Sequence, residues 1–155
     1  MQPHLRKCFE GIHSLRFDED LEVLAMRSTE GEEVDLIEAI STLATRGQVE
    51  KWLIELERIM RLSVRNEVYL AIQAYPTKER RLWVLDWPGQ TILCVGKMYW
   101  TLRIEQSMLL GVEGLNKYLD QCQRELNEII LLIRGTLTKQ NRITLGQTSI
   151  SLFVN

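Results

Sequence analysis

Residues 49–75 read VEKWLIELERIMRLSVRNEVYLAIQAY, and the spacing of their apolar side chains decides the fold. Val49, Trp52, Leu53, Leu56, Ile59, Met60, Val64, Val68, Ala71, Ile72 and Tyr75 return at steps of three and four. That is the period of one helix face, so a helix is expected over about 47–75, ~40 Å long at about 1.5 Å rise per residue. Trp52 is the largest side chain on the stripe and an expected anchor. Pro76 ends the run, because proline lacks an amide hydrogen and its ring clashes with the preceding turn.

Beyond a charged connection, Lys78-Glu79-Arg80-Arg81, lies Trp83–Cys94, WVLDWPGQTILC. Trp83, Trp87 and Trp100 fall within eighteen residues, and Trp87 leads into Pro88-Gly89. Tryptophan beside a Pro-Gly break anchors a corner where a helix begins, so Trp83, Trp87, Pro88, Gly89 and Trp100 are the expected structural residues there. A second helix is expected over 88–107, with Ile92, Val95, Tyr99 and Leu102 facing inward. A third is expected over 115–134, striped by Leu115, Leu119, Cys122, Leu126, Ile129 and Ile133 and capped by Gly135.

Upstream the pattern is less regular. Residues 2–14 suggest a short helix after Pro3, and 21–37 suggest a β-hairpin turning at Gly31, which is free to take positive φ. Residues 147–155 alternate weakly, as a loose tail or an orphan strand. The expected fold is therefore mainly α, an antiparallel bundle of long helices with a small β-hairpin at one end.

Composition excludes several classes. The chain has 155 residues, 45% apolar and 26% charged, as in a soluble globular domain. No apolar run approaches the ~20 residues of a membrane helix, and the N-terminus is too polar for a signal peptide. Cys8, Cys94 and Cys122 are odd in number and far apart, which fits reduced thiols serving as small core residues. Net charge is −2, but residues 10–38 hold ten acids against Arg16 and Arg27, so that segment carries −8 and the rest +6. An acidic solvated turn beside basic helices is expected, the sharper reading being two patches that face each other or an adjoining module. No basic patch is interleaved with stacking aromatics, so nucleic acid is not an expected partner, and neither is a membrane.

Catalytic patterns fail one by one. Gly96-Lys97-Met98 ends like a phosphate loop, but Thr91 and Met98 stand where that motif needs Gly and Ser/Thr. His4 and Cys8 have the i, i+4 spacing of two zinc ligands, with His13 nearby, yet a fourth ligand is missing. Cys94 has no local motif marking either histidine as its base, and the acids at 18–20 and 30–33 lack EF-hand spacing. No catalytic, cofactor-binding or metal residue is assigned, no cofactor is expected, and the chain is not expected to be an enzyme.

Five stretches, taken in order, resemble one family. Gln2–Ile12 (QPHLRKCFEGI), Met26–Val34 (MRSTEGEEV), Val49–Leu53 (VEKWL), Trp83–Gln90 (WVLDWPGQ) and Lys139–Gly146 (KQNRITLG) are similar to the linker region of dynein heavy chains, the axonemal members most. The resemblance covers 1–146 and leaves 147–155 as a divergent tail, as of a truncated or alternatively ended message. It implies a helical arm just before the first AAA+ module, bent and straightened over a six-module ring by ATP turnover. The implied partners are the AAA+ ring and the remaining linker, with other dynein subunits and microtubules reached only through the full-length motor. The implied locations are cytoplasm, cytoskeleton and cilium axoneme. The family's nucleotide-binding residues have no matching positions here. The alternatives are an autonomous helical protein-interaction module and an inert truncated fragment.

Overall fold

The computed structural model describes residues 4–43 and 48–153, with side chains through residue 146. The chain divides into two compact units, residues 1–69 and 70–155. The first contains helix α1 (Leu5–Cys8) and strands β1 (Ile12–Phe17), β2 (Glu22–Ser28) and β3 (Glu33–Ser41), paired antiparallel in the order β1-β2-β3. Helix α2 (Val49–Ala74) contributes its larger part to this unit.

The expected hairpin at 21–37 is thus two strands of a three-stranded sheet, and the expected helix at 2–14 lasts one turn. Its first residues, 2–3, lie outside the described residues. Phe9 is already extended and Gly11 takes φ +83°, a left-handed conformation that stops the helix and starts β1. The predicted turn at Gly31 has φ +85°, and the Ser28 hydroxyl accepts the amides of Glu30 and Glu32 at 3.2 and 3.3 Å. Asp18 closes the other turn by accepting the Glu22 amide at 2.8 Å.

The sheet buries one face against α2. Leu5, Leu15, Val23, Met26 and Ile40 pack with Trp52, Leu56, Ile59 and Met60. Between Val23↔Ile40 and Ala25↔Asp35 the register breaks, so residues 36–39 of β3 loop out of the ladder. One freed amide is reclaimed: Ile37 N–H donates to Ser63 Oγ at 3.0 Å, and that hydroxyl donates to the Ile59 carbonyl at 2.7 Å. Ser63 therefore fastens the bulged strand to the helix.

The second unit holds the end of α2, then α3 (Arg80–Trp83), α4 (Gly89–Leu109), α5 (Gly111–Arg134) and α6 (Lys139–Phe153). α4 packs on α5 and on α6, and α3 on α5. Proline 88 sits at the N-cap of α4, and its carbonyl accepts the Ile92 amide at 3.0 Å. One residue, Leu110, separates α4 from α5, and Gly111 at φ +68° makes that turn possible. A Cβ on Gly114 would stand 2.5 Å from the Ser107 carbonyl oxygen, so only glycine fits against the end of α4.

Several sequence expectations are corrected. Within the stripes, Val49 and Val64 of α2, Leu102 of α4, and Leu115 and Leu119 of α5 are exposed. Burial follows the neighbouring element, and among the described residues these positions are left open to solvent. Cys8 and Cys94 are also exposed and Cys122 is half-buried, so none is a fully enclosed core residue. The charged connection at 78–81 contains the first turn of α3. The weakly alternating tail is helical through Phe153, as part of α6, while residues 154–155 lie outside the described residues. Thr138 caps that helix, its Oγ1 accepting the Asn141 amide at 3.1 Å.

Leu56 is fully enclosed while Ile54, two residues away, is 68% exposed. Leu56→Ala is expected to cost ~2–5 kcal/mol in urea denaturation and Ile54→Ala no more than about 0.5 kcal/mol. Equal losses would contradict this orientation of α2. A second expectation concerns pH. Burial, and then the nearby Asp35 carboxylate, raise the Glu67 pKa above its usual 4.5. A raised acid favours folding when protonated, so its contribution is full below 4.5 and lost as pH rises through the folded value. Glu67→Gln should raise the urea midpoint at pH 7 and leave it unchanged near pH ~4.

Candidate functional site

The densest arrangement of polar and aromatic groups lies in the second unit, at the C-terminal end of α2. The last carbonyls of a helix have no partner within it. Here side chains add donors, although the Ala71 carbonyl also keeps its regular bond from the Tyr75 amide at 3.0 Å. Trp83 is fully buried and its Nε1 donates to the Ala71 carbonyl at 3.1 Å. Tyr99 Oη donates to the Ile72 carbonyl at 3.1 Å. The Ala74 carbonyl accepts both the amide and the hydroxyl of Thr77, at 3.1 and 2.9 Å.

The rings also pack on one another. Tyr75 and Tyr99 stack at 4.0 Å between centroids with their planes 4° apart, and the Trp83 ring meets Tyr75 edge-on at 5.0 Å. Trp87 lies 6.5 Å from Trp83, with its indole nitrogen enclosed. Trp83 and Trp87 thus come together, and Pro88, half-buried, and Gly89, buried, follow Trp87 directly in the chain. Trp100 does not join them. It is 51% exposed, and Tyr99 occupies the place assigned to it. The inward period Ile92, Val95, Tyr99 carried the signal, because adjacent helical residues point about 100° apart. Trp52, the remaining expected anchor, is buried in the first unit, with its Nε1 enclosed.

Two guanidinium groups complete the cluster. Arg80 lies 5.0 Å from the Tyr75 centroid and 4.6 Å from that of Trp83, and Arg103 lies 5.4 Å from the Tyr75 centroid. Cations over aromatic faces are attracted by the ring quadrupole, and the C-terminal end of a helix favours them too. Glu125 answers Arg103 at 3.2 Å, and the same oxygen accepts from Gln121 at 2.7 Å. Burial pulls the Arg80 pKa down. Burial pushes Tyr75 up, against the opposing pull of both arginines. Tyr118 is raised by burial and then by its hydrogen bond with Cys122. In the sequence Arg80 and Arg81 stand only as part of a charged connection; nothing local distinguishes the enclosed one from the exposed one.

The remaining expected features are scattered. His13 is hydrogen-bonded to Arg6, and Lys97 is in the middle of α4. Among the described residues no group of three His, Cys, Asp or Glu side chains could hold a metal ion, and no helix is long and apolar enough to cross a membrane. In the first unit Phe9, Ile12, Met26, Met60, Val64 and Val68 line an open apolar groove of about 720 Å³, with Arg61 and Arg65 beside it. The chemistry offered by the aromatic cluster is hydrogen bonding and packing of helix ends.

Trp83→Ala should therefore cost about 3–5 kcal/mol, chiefly through the cavity, since the Ala71 carbonyl keeps the Tyr75 amide at 3.0 Å, and Trp100→Ala about 0.5 kcal/mol or less. Chemical denaturation followed by far-UV dichroism measures both. A Trp100 variant as unstable as the Trp83 variant would overturn the placement.

Residues 1–71 match a family profile described as "Dynein heavy chain, N-terminal region 2". The chain is 52% identical over 146 residues to dynein axonemal heavy chain 12 of Homo sapiens, covering 94% of this chain and 5% of that protein. It is 40% identical over 150 residues to dynein axonemal heavy chain 3 of Homo sapiens, covering 97% of this chain and 4% of that protein. To dynein axonemal heavy chain 1 of Mus musculus it is 43% identical over 146 residues, 94% of this chain and 3% of that one. The chain thus spans about one twentieth or less of the curated relatives it matches. It belongs to the dynein heavy-chain family, as a stretch of that family's N-terminal region.

Proposed function

We propose that this chain is part of the linker of an axonemal dynein heavy chain. In that role it is a mechanical element that contributes to ATP-driven movement along microtubules only when joined to an AAA+ ring. The observation that carries the reading is 52% identity across 94% of the chain to a protein named as an axonemal dynein heavy chain. The side chains support it in kind: Trp83, Tyr99 and Thr77 give their donors to carbonyls at the end of α2. Helices α4, α5 and α6 are read as members of an antiparallel bundle of long helices. The chain has no catalysis of its own. Its partners are the ring and the rest of the linker, and its place is the cytoskeleton of the ciliary axoneme.

A second reading, an autonomous helical interaction module, has one observation in its favour. At the turn from α4 to α5, Met108, Leu110 and Val112 are exposed, and Leu109 is 87% exposed. A patch of that kind marks a surface that something covers.

Binding of the purified chain to a dynein ring lacking its own linker separates the two. The linker reading expects affinity that changes among ATP, ADP and nucleotide-free conditions, since only a ring-coupled element follows the ring's state. It also expects no phosphate release from ATP by the chain alone. Equal binding in every nucleotide state would favour the autonomous module, and no binding to the folded chain would remove the linker role.

A further inference from the structure

We propose that Arg80 and Arg103 form an oxyanion-binding site in the second unit, receiving one carboxylate or phosphate group. The inference does not depend on the linker reading. Both guanidinium groups lie within 5.4 Å of the Tyr75 centroid, and one face of that ring is already covered by Tyr99. The two cations therefore share one neighbourhood, where each raises the cost of the other's charge.

The local acid does not balance them. Glu125 is the carboxylate paired there, and its Oε1 is engaged by both Arg103 and Gln121. The C-terminal end of α2 adds the equivalent of about half a negative charge, which leaves the cluster positive. Arg80 makes its contacts to ring faces, and among the described residues no oxygen accepts a hydrogen bond from its guanidinium. Its Nη1 is enclosed and without an acceptor. A buried guanidinium nitrogen in that condition carries a desolvation cost that a bound acceptor relieves.

The site opens to solvent on the Arg103 and Glu125 side, and an anion engages the enclosed Arg80 Nη1 only as those side chains shift. The side chains of Arg103 and Glu125 are 32% and 27% exposed, and Arg80 is half-buried. Guanidinium groups present planar forks of N–H donors that match the oxygens of carboxylate and phosphate, which is why the ligand class is an oxyanion and not a halide. An acidic side chain of a neighbouring polypeptide and a phosphate group share that chemistry.

Titration of the 155-residue chain with sodium phosphate and, separately, sodium acetate tests this, each against sodium chloride at matched ionic strength. Tryptophan fluorescence is the readout, because Arg80 touches the Trp83 ring. The expected result is a saturable change with an oxyanion and none with chloride. Arg103→Gln should weaken the response at least tenfold, and the exposed control Arg81→Gln should leave it unaltered. Glu125→Gln should strengthen it several-fold, since it removes the competing carboxylate, and this outcome stands even if the Arg103 variant folds poorly. A response to phosphate alone would identify a phosphate-group site; similar responses to both anions would identify a site for an acidic side chain. A signal that follows ionic strength, or one unchanged in both Arg103→Gln and Glu125→Gln, would overturn the proposal.

Discussion

Burying an indole is costly unless an acceptor meets its one polar atom, and the second unit is arranged around how Trp83, unlike the enclosed Trp87, finds one. The acceptor is the Ala71 carbonyl, among the last in α2, whose second lone pair stays open after it accepts the Tyr75 amide at 3.0 Å. One contact thus satisfies a buried donor and a helix end together. Tyr99 repeats the arrangement at Ile72, from a different helix, and Thr77 does so at Ala74 from the following turn. Three donors on three separate segments converge on one helix terminus, which fixes where α2 stops relative to α3 and α4. Leaving the buried Trp83 indole N–H without an acceptor would cost on the order of 1–3 kcal/mol. That cost, and not ring packing alone, makes the aromatic arrangement specific.

The first unit solves a related problem with a smaller group. A bulge in β3 releases backbone amides that the sheet no longer pairs, and the Ser63 hydroxyl takes one while bonding back to Ile59. A hydroxyl bonding back to a carbonyl four residues earlier is neutral to slightly unfavourable within a helix. Here its free acceptor capacity ties strand to helix, so a residue with poor helix propensity is retained mid-helix for a tertiary reason. Around the sheet, Arg16 bridges Glu33 and Asp35, and Arg27 also meets Glu33. The two bases of the acidic segment are thus spent on ordering the strands that carry it. Those pairs are largely exposed, so they set strand order more than they add stability.

The legible parts of this fold are those in which local pattern and tertiary burial agree. The stripe from Trp52 to Tyr75 gave α2 to within a few residues, and Gly31 marked its turn because positive φ leaves few other choices. Trp100 shows where composition misleads: tryptophan is large and apolar, but the period through Ile92 and Val95 points the adjacent Tyr99 inward. Gly11 was equally readable as a helix stop, and its neighbours Leu5, Cys8, Phe9 and Ile12 concealed it by matching a helical period across a real break. Helix α6 was not legible. The apolar residues Ile150, Leu152 and Val154 alternate in the sequence as in a strand, yet α4 supplies the surface against which α6 packs. Tertiary contact outweighs a weak local preference. The Arg80 position was unreadable for a different reason: enclosure of one arginine in a run of charges is set by rings at positions 75 and 83, not by its sequence neighbours.

The match to the family profile ends at residue 71, close to the boundary of the first compact unit at Tyr69, whereas similarity to the axonemal heavy chains extends over 146 residues. The profile therefore coincides with the sheet and the part of α2 that covers it, a unit with its own core. Nearly all of the second unit must fall within the longer similarity, because only nine of the 155 residues lie outside an alignment of that length. Its determinants are of a kind that tolerates little change: an indole nitrogen at 83, a phenol at 99 and a glycine at 114 that admits no Cβ. Each acts through one atom, or through the absence of one, so a conservative replacement such as Phe for Trp83 or Tyr99 keeps the ring and loses the bond. Sequence similarity that persists through such a region is what single-atom constraints on a helix junction would require.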